Sequence, residues 1–188
     1  MKAHRHLAEL KGCAASIPNQ AILVNTLALQ EAKASSEIES YVTTQDELFQ
    51  ADLKLAESVS PAAKEVARYR ESLKQGFERM KAQQGLITQS TLIALFQELK
   101  NSTEGFRHAP GTVFTPPQDG AEKQRHMNDL ERFINTPDEL DALIKMALIH
   151  HQFESIHPFS DGNGRIGRIL CVLFLVQSEL LDAPVLYL

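Results

Sequence analysis

The sequence has few of the residues that indicate a disulfide scaffold, a membrane span or a free-standing nucleic-acid surface. Its 188 residues include two cysteines, Cys13 and Cys171, and neither stands in a CxxC or metal-ligand spacing. The chain start lacks an apolar core of signal-peptide length, and the longest apolar run, residues 169–176, is too short to span a bilayer. A formal net charge of −5 does not support a basic footprint for nucleic acid. We therefore expect a reduced, cytoplasmic protein without a membrane segment.

The apolar pattern is that of helices separated by short breakers. Apolar residues make up 43% and charged residues 23% of the chain, which is ordinary for a soluble globular protein. The length allows one domain with a sizeable core or two small ones. No convincing series of alternating strands appears, so the predicted class is all-α with at most one small hairpin.

Capping signals mark three helix starts. Residues 44–47 (TQDE) have the pattern of a capping box, and residues 60–61 (SP) place a capping serine before a first-turn proline. The second of these helices should run toward Gln84. Residues 136–139 (TPDE) combine both signals. The helix expected to start there would bury five apolar residues: Leu140, Leu143, Ile144, Ala147 and Leu148.

Residues 101–120 hold six glycines and prolines and predict a loop, with a short extended stretch at 112–115. Helical spacing returns at Met127. After a break at 157–164, the last helix is apolar nearly all round its middle, which predicts the central, buried helix of the fold. Its apolar positions are Ile166, Ile169, Leu170, Leu173 and Phe174.

The segment 157–168, HPFSDGNGRIGR, predicts a site for a polyphosphate. Two glycines flank Asn163 just before a helix, so successive backbone N–H groups can turn toward one anion. The positive end of the helix adds to this attraction. Arg165 and Arg168 lie on one side of the first turns, and guanidinium groups bind phosphate oxygens in pairs. No GxxxxGK[ST] is present, so the pattern is not that of a P-loop.

Two further groups precede the glycines. Asp161 offers a hard oxygen ligand suited to Mg²⁺ beside phosphates, and His157 can accept a proton near neutral pH. Taken singly, these features have ordinary structural interpretations: a turn, a surface histidine, a solvated arginine. Their combination within twelve positions favours the attack of a hydroxyl group on phosphorus.

At these residues the sequence resembles the Fic family, because HPFSDGNGRIGR matches the signature HxFx(D/E)GNGRxxR at every fixed position. Residues 147–156 also resemble the helix that precedes this signature, and a weaker likeness extends back to about Leu7. The resemblance implies an all-α, Fic-type helical bundle with a small β-hairpin flap. It also implies transfer of AMP from ATP to a Ser, Thr or Tyr hydroxyl of a target protein.

The resemblance implies a role for each motif residue. His157 would be the general base toward the target hydroxyl, Asp161 would hold Mg²⁺ on the phosphates of ATP, and Phe159 would anchor the loop in the core. The remaining residues would bind the nucleotide: Gly162, Asn163 and Gly164 as the anion nest, and Arg165 and Arg168 through their guanidinium groups, with Arg168 at the γ-phosphate.

Residues 34–40, ASSEIES, place Ser35 and Glu39 four apart on one helix face. By itself this is the pattern of a polar helix end. Beside the first motif it resembles the inhibitory motif (S/T)xxxE(G/N) of Fic proteins, although Ser40 stands where the family has Gly or Asn. The resemblance implies that Glu39 pairs with Arg168 and opposes the γ-phosphate. Such a pair is worth roughly 1–3 kcal/mol, or roughly 5- to 150-fold in nucleotide binding.

The segment 105–117 would correspond to the family's flap, which pairs with an extended segment of the target. Phe106, Val113 and Phe114 are its candidate apolar contacts, and a plain Pro/Gly loop is an equal alternative. The target protein is not identifiable, and self-modification and homo-oligomers both remain compatible with the sequence.

We expect N-terminal helices with the inhibitory motif over residues 1–60 and a Fic core over 61–188, whose apolar end, PVLYL, is either truncated or paired elsewhere. In the related Doc kinase toxins a lysine stands at the position of Gly164 and ATP binds in the reverse sense, so glycine favours nucleotidyl transfer. Two alternatives to an autoinhibited AMP transferase stay open. One is a hydrolase that removes AMP, with Glu39 orienting a water, and the other is a nucleotide-binding regulator without turnover.

Overall fold

The computed structural model describes residues 2–52, 60–108 and 120–186, and all secondary structure in these ranges is helical. The extended stretch predicted at 112–115 lies outside the described residues. Within these ranges, no helix combines the length and apolar character needed to cross a membrane. The helices are α1 (Lys2–Ser16), α2 (Gln20–Ile38), α3 (Gln45–Asp52), α4 (Pro61–Ala82), α5 (Gln89–Lys100), α6 (Gly120–Asn135), α7 (Ala142–Ile156) and α8 (Asn163–Gln177).

Helix α8 is the central helix, as its apolar pattern predicts. Every residue from Arg165 to Leu175 is buried except Arg168, which is partly exposed. Helices α2, α4, α5 and α7 all pack against α8. Because α8 is held from several sides, its first turn gives the motif residues a fixed support.

Two of the predicted helix starts are confirmed. Thr44 Oγ1 accepts a hydrogen bond from the Glu47 amide at 3.2 Å, and the Glu47 carboxylate accepts one from the Thr44 amide at 3.0 Å, which completes a capping box. Ser60 Oγ accepts the Ala63 amide at 3.1 Å, and Pro61 is the first residue of α4. These starts follow from contacts within four residues, so local sequence specifies them.

The third predicted start, at 136–139, is wrong. Helix α7 begins at Ala142, because Asp141 accepts the first-turn amide of Leu143 at 2.9 Å. Residues 136–140 form an irregular, bent segment instead. Its Thr136 carbonyl accepts Lys145 Nζ at 2.7 Å, and Asp138 pairs with the same ammonium at 2.9 Å. The Thr136 carbonyl and the Asp138 carboxylate thus bind the first turns of α7 and do not begin the helix.

The predicted buried face of α7 is also wrong. Leu140, Ile144 and Leu148 are 46%, 57% and 45% exposed, and Ala147 is exposed as well, while Leu143 is partly buried. The face that packs on α8 instead carries Lys145, Ile149, Phe153 and Ile156. The helix has apolar residues at helical spacing on two faces, and periodicity alone does not decide which one meets the core.

Candidate functional site

The motif begins where α7 ends. His157 caps α7 with a left-handed backbone (φ 49°), and its amide donates to the Phe153 carbonyl at 2.9 Å. A short turn leads to Gly162, which has φ 75° and stands at the N-cap of α8. A left-handed backbone is unfavourable for residues other than glycine, so His157 needs support from its surroundings.

Asn163 and Phe159 close the turn. Asn163 Oδ1 accepts the Phe159 amide and Asn163 Nδ2 donates to the Phe159 carbonyl, both at 2.9 Å. The Phe159 ring is fully buried and stacks on Phe96 with a centroid separation of 4.5 Å. Phe159 therefore anchors the loop, and the buried Asn163 side chain holds the loop's shape, which leaves only its backbone for an anion nest.

The start of α8 has unused hydrogen-bond donors. Gly162 has no side chain to accept the first-turn amides of the helix. The Arg165 side chain is fully buried and forms an ion pair with Glu65 through Nη1, while its Nε and Nη2 atoms make no hydrogen bond within the described residues. Buried donors without an acceptor are costly, and an anionic oxygen would satisfy them. This part of the site therefore fits a phosphate group.

Asp161 lies at the exposed edge of the turn. Its carboxylate accepts Lys100 Nζ at 2.7 Å and the Gly162 amide at 2.6 Å. Desolvation opposes ionisation of Asp161, but Lys100, the Gly162 amide and Arg165 outweigh it and hold the pKa of this carboxyl below its usual range. No cluster of three metal-ligating side chains occurs in the part of the chain described. A single ionised carboxylate fits Mg²⁺ held mainly by phosphate oxygens.

Arg168 is held by the end of α2. Its Nε donates to Ser35 Oγ at 2.5 Å, its Nη2 donates to the Ser35 carbonyl at 3.1 Å, and Glu39 Oε1 lies 3.5 Å from Nη2. A Cβ added to Gly164 would lie 2.7 Å from Glu39 Oε1, so glycine at this position makes room for the carboxylate. The structure thus brings together Ser35, Glu39 and Arg168, as the second motif predicts.

The His157 imidazole has a carboxylate beside it. Glu154, one helical turn earlier, places Oε2 3.8 Å from His157 Nδ1. Burial raises the pKa of Glu154, while His150, His157 and Arg168 oppose this effect. The other carboxylate oxygen of Glu154, Oε1, would lie 2.6 Å from a Cβ at position 167, so Gly167 leaves room for this carboxylate. The arrangement leaves His157 Nε2 as the nitrogen that does not face this carboxylate.

Several of these neighbours were missed from the sequence. Glu154 had a usable signal, since it stands one helical turn before His157. Glu65 and Lys100 had none, because they lie 100 and 61 positions from Arg165 and Asp161. The flap candidates Val113 and Phe114 lie outside the described residues.

The N-terminal part of the chain matches one family model and the C-terminal part another. Residues 1–78 match the model described as "Fic/DOC family N-terminal", and residues 86–175 match "Fic/DOC family". Among curated proteins, the chain is similar to a probable protein adenylyltransferase of Aquifex aeolicus, with 29% identity over 104 residues. The match covers 52% of this chain and 32% of that protein, so the chain spans about a third of its relative's length.

Two solved structures share the fold. A Fic domain containing signalling protein from Bacteroides thetaiotaomicron matches with a TM-score of 0.76 and 18% identity, covering 93% of this chain and 73% of that one. A Fic family protein from Desulfovibrio desulfuricans matches with a TM-score of 0.69 and 22% identity, covering 92% of this chain and 56% of that one. With the two family models together spanning most of its length, the chain belongs to the Fic/DOC family.

Proposed function

We propose that this chain is a protein adenylyltransferase that moves AMP from ATP to a Ser, Thr or Tyr hydroxyl of a target protein, and that Glu39 inhibits it in cis. One observation carries the proposal. Three groups lie around the start of α8: the Arg165 guanidinium, whose Nε and Nη2 make no hydrogen bond to the described residues, the guanidinium of Arg168, and the imidazole of His157. The curated relative described as a probable protein adenylyltransferase supports the same reaction.

The positive groups at the start of α8 would bind the triphosphate. The first-turn amides and the Nε and Nη2 atoms of the buried Arg165 are donors without a hydrogen bond to the described residues, and Arg168 would face the γ-phosphate once Glu39 is displaced. Asp161 would hold Mg²⁺ together with phosphate oxygens, and the metal would neutralise charge on the phosphates. Lys100 already provides a cation at this carboxylate.

His157 would act as the general base. Its Nε2 would take the proton of the target hydroxyl as that oxygen attacks the α-phosphorus of ATP. The new bond joins the target oxygen to phosphorus, the bond from that phosphorus to the bridging oxygen breaks, and pyrophosphate leaves. Glu154, near Nδ1, is placed to stabilise the imidazolium that forms.

Glu39 would inhibit by competing for Arg168. The pair is partly shielded from solvent, and Ser35 holds the same guanidinium through two hydrogen bonds. A charge-assisted contact of this kind is worth roughly 1–3 kcal/mol, which predicts a roughly 5- to 150-fold gain in productive ATP binding when the carboxylate is removed.

Replacing Glu39 with glycine should raise transfer of label from α-labelled ATP into protein. A matched control is Glu37→Gly, which changes the same helix end but removes a carboxylate paired with Lys33 instead of Arg168. The Glu39→Gly, His157→Ala double variant should transfer nothing. Equal transfer by the Glu39→Gly and Glu37→Gly variants would contradict inhibition by Glu39.

The same experiment separates the alternatives. Binding of ATP by the Glu39→Gly variant without incorporation of label would indicate a regulator without turnover. Release of AMP from a labelled target by the unmodified chain, but not by the Glu39→Gly variant, would indicate the hydrolase. Incorporation from γ-labelled but not α-labelled ATP would indicate phosphorylation.

A further inference from the structure

Arg107 binds the carbonyl groups of three consecutive residues at the point where α7 ends. Its Nε donates to the His157 carbonyl at 2.7 Å, its Nη2 donates to the Ile156 carbonyl at 3.4 Å, and its own amide donates to the Pro158 carbonyl at 2.8 Å. Neither motif contains this residue, which lies 50 positions before His157.

The carbonyl groups that Arg107 binds lie at the C-terminal end of α7. The last carbonyls of a helix lack partners within the helix, and a positive charge there is favourable. His157 also has a left-handed backbone, which side chains other than glycine seldom adopt. Arg107 therefore binds the backbone at His157, and the conformation of this backbone sets the direction of the imidazole ring.

Arg107 is itself held on two sides. Lys123, fully buried on α6, donates from Nζ to the Arg107 carbonyl. The preceding residue, Phe106, packs its ring against Phe159 with centroids 5.4 Å apart. Lys123 and Phe106 therefore contact the backbone on both sides of the Arg107 side chain.

We propose that Arg107 is a positioning residue: it holds the backbone of His157 in the conformation that aims the imidazole at the target hydroxyl, and Lys123 holds Arg107 in place. The importance of this for catalysis rests on the transfer reaction proposed above. Because these bonds go to main-chain carbonyls of the turn, the effect is expected on the base and not on ATP affinity.

The test uses Arg107→Met and Arg107→Lys in the active Glu39→Gly background. The matched control is Arg132→Met, which removes an exposed arginine of α6 that pairs with Asp129. The rate constant kcat should fall about 10- to 100-fold in Arg107→Met with an unchanged KM for ATP, because a small misplacement of a catalytic group costs this much. Lysine keeps the positive charge but lacks the planar guanidinium with its several N–H donors, so the kcat of Arg107→Lys should be intermediate. Arg132→Met should be unaffected.

A second readout does not need turnover. In protein labelled with ¹⁵N-histidine, the ring signals of His157, assigned by their loss in His157→Ala, should shift in both Arg107 variants and not in Arg132→Met. Lys123→Met should shift them in the same direction. If the Glu39→Gly parent transfers no label to any protein, the proposed function fails, but these signals still test the positioning role.

Circular dichroism identifies the folded variants, and Arg107→Lys carries the test if Arg107→Met does not fold. Unchanged His157 signals and an unchanged kcat in a folded Arg107 variant would overturn the proposal. So would a rise in the KM for ATP with no change in kcat, since that result would assign Arg107 to the nucleotide.

Discussion

Gly164 makes room for the carboxylate of Glu39 at the first turn of α8. A methyl group on Gly164 would lie 2.7 Å from Glu39 Oε1 and 3.5 Å from Arg168 Nη1. The first motif thus contains a residue that the second motif needs. This physical link between the two motifs is independent of the peptide N–H groups that glycine would also present to a phosphate.

The charge state of Asp161 depends on Lys100. Removing the ammonium in Lys100→Met should raise the pKa of Asp161, because the hydrogen bond and the charge of Lys100 both lower it. The carboxyl ¹³C signal of Asp161 measures this pKa, and Lys74→Met, an exposed lysine of α4, is the control. A carboxyl pKa that is lowered in the folded state adds stability above the unfolded value of about 3.9, and this stability is lost as pH falls through the folded pKa.

The loss of stability in Lys100→Met should therefore be present near neutral pH and diminish as the solution becomes acidic. Urea unfolding between neutral and acidic pH tests this sign. A stability difference that grows toward acidic pH would contradict the assignment of Lys100 as the main partner of Asp161.

At the scale of secondary structure elements, the last turn of α2 meets the first turn of α8. Helix α2 packs on α4 and carries two small buried residues, Ala28 and Ala32, and the Tyr69 hydroxyl of α4 donates a hydrogen bond to the buried Glu31 at 3.1 Å. Further along the same helix, Ser35 binds Arg168. Inhibition by Glu39 would thus depend on the packing of a whole helix as well as on one ion pair.

Helix α7 offers a matched test of which face is buried. Ile149 is fully buried and Ile144 is 57% exposed, so the same substitution can be made on both faces. Ile149→Ala should lower the free energy of unfolding by about 2–5 kcal/mol, whereas Ile144→Ala should lower it by about 0.5 kcal/mol or less. Urea denaturation measures both. Losses of equal size would show that the exposed face is covered in solution.

At the scale of the whole molecule, binding of ATP and Mg²⁺ should stabilise the fold by mass action, and Glu39 should limit this effect. The rise in Tm on adding Mg²⁺ and ATP should be larger in Glu39→Gly than in the unmodified chain. The additional stabilisation corresponds to roughly 1–3 kcal/mol in the free energy of unfolding. Differential scanning calorimetry at matched ligand concentration measures the two shifts.

The double variant Glu39→Gly, Arg168→Ala should lose most of this additional rise in Tm, since it lacks the guanidinium expected at the γ-phosphate. An equal Tm shift with and without Glu39 would contradict competition for that group.

The sequence by itself determined the features that depend on neighbours a few positions away. The capping residues Thr44 and Ser60 open their helices through bonds to amides three residues later, and local spacing suffices to find them. The motif 157–168 and the all-round apolar pattern of α8 were identifiable for the same reason: their residues are consecutive or repeat at helical spacing.

Tertiary structure alone decided which distant side chains complete the site. Glu65 pairs with Arg165, Lys100 pairs with Asp161, and Arg107 holds the backbone of His157, although 50 to 100 positions separate the partners. It also decided which face of α7 is buried, because two apolar stripes satisfy the same periodicity. Helical spacing shows only which residues share one face of a helix. Which face meets the core, and which charged side chains pair, is decided when the helices pack, because apolar surface and charged groups are then buried together.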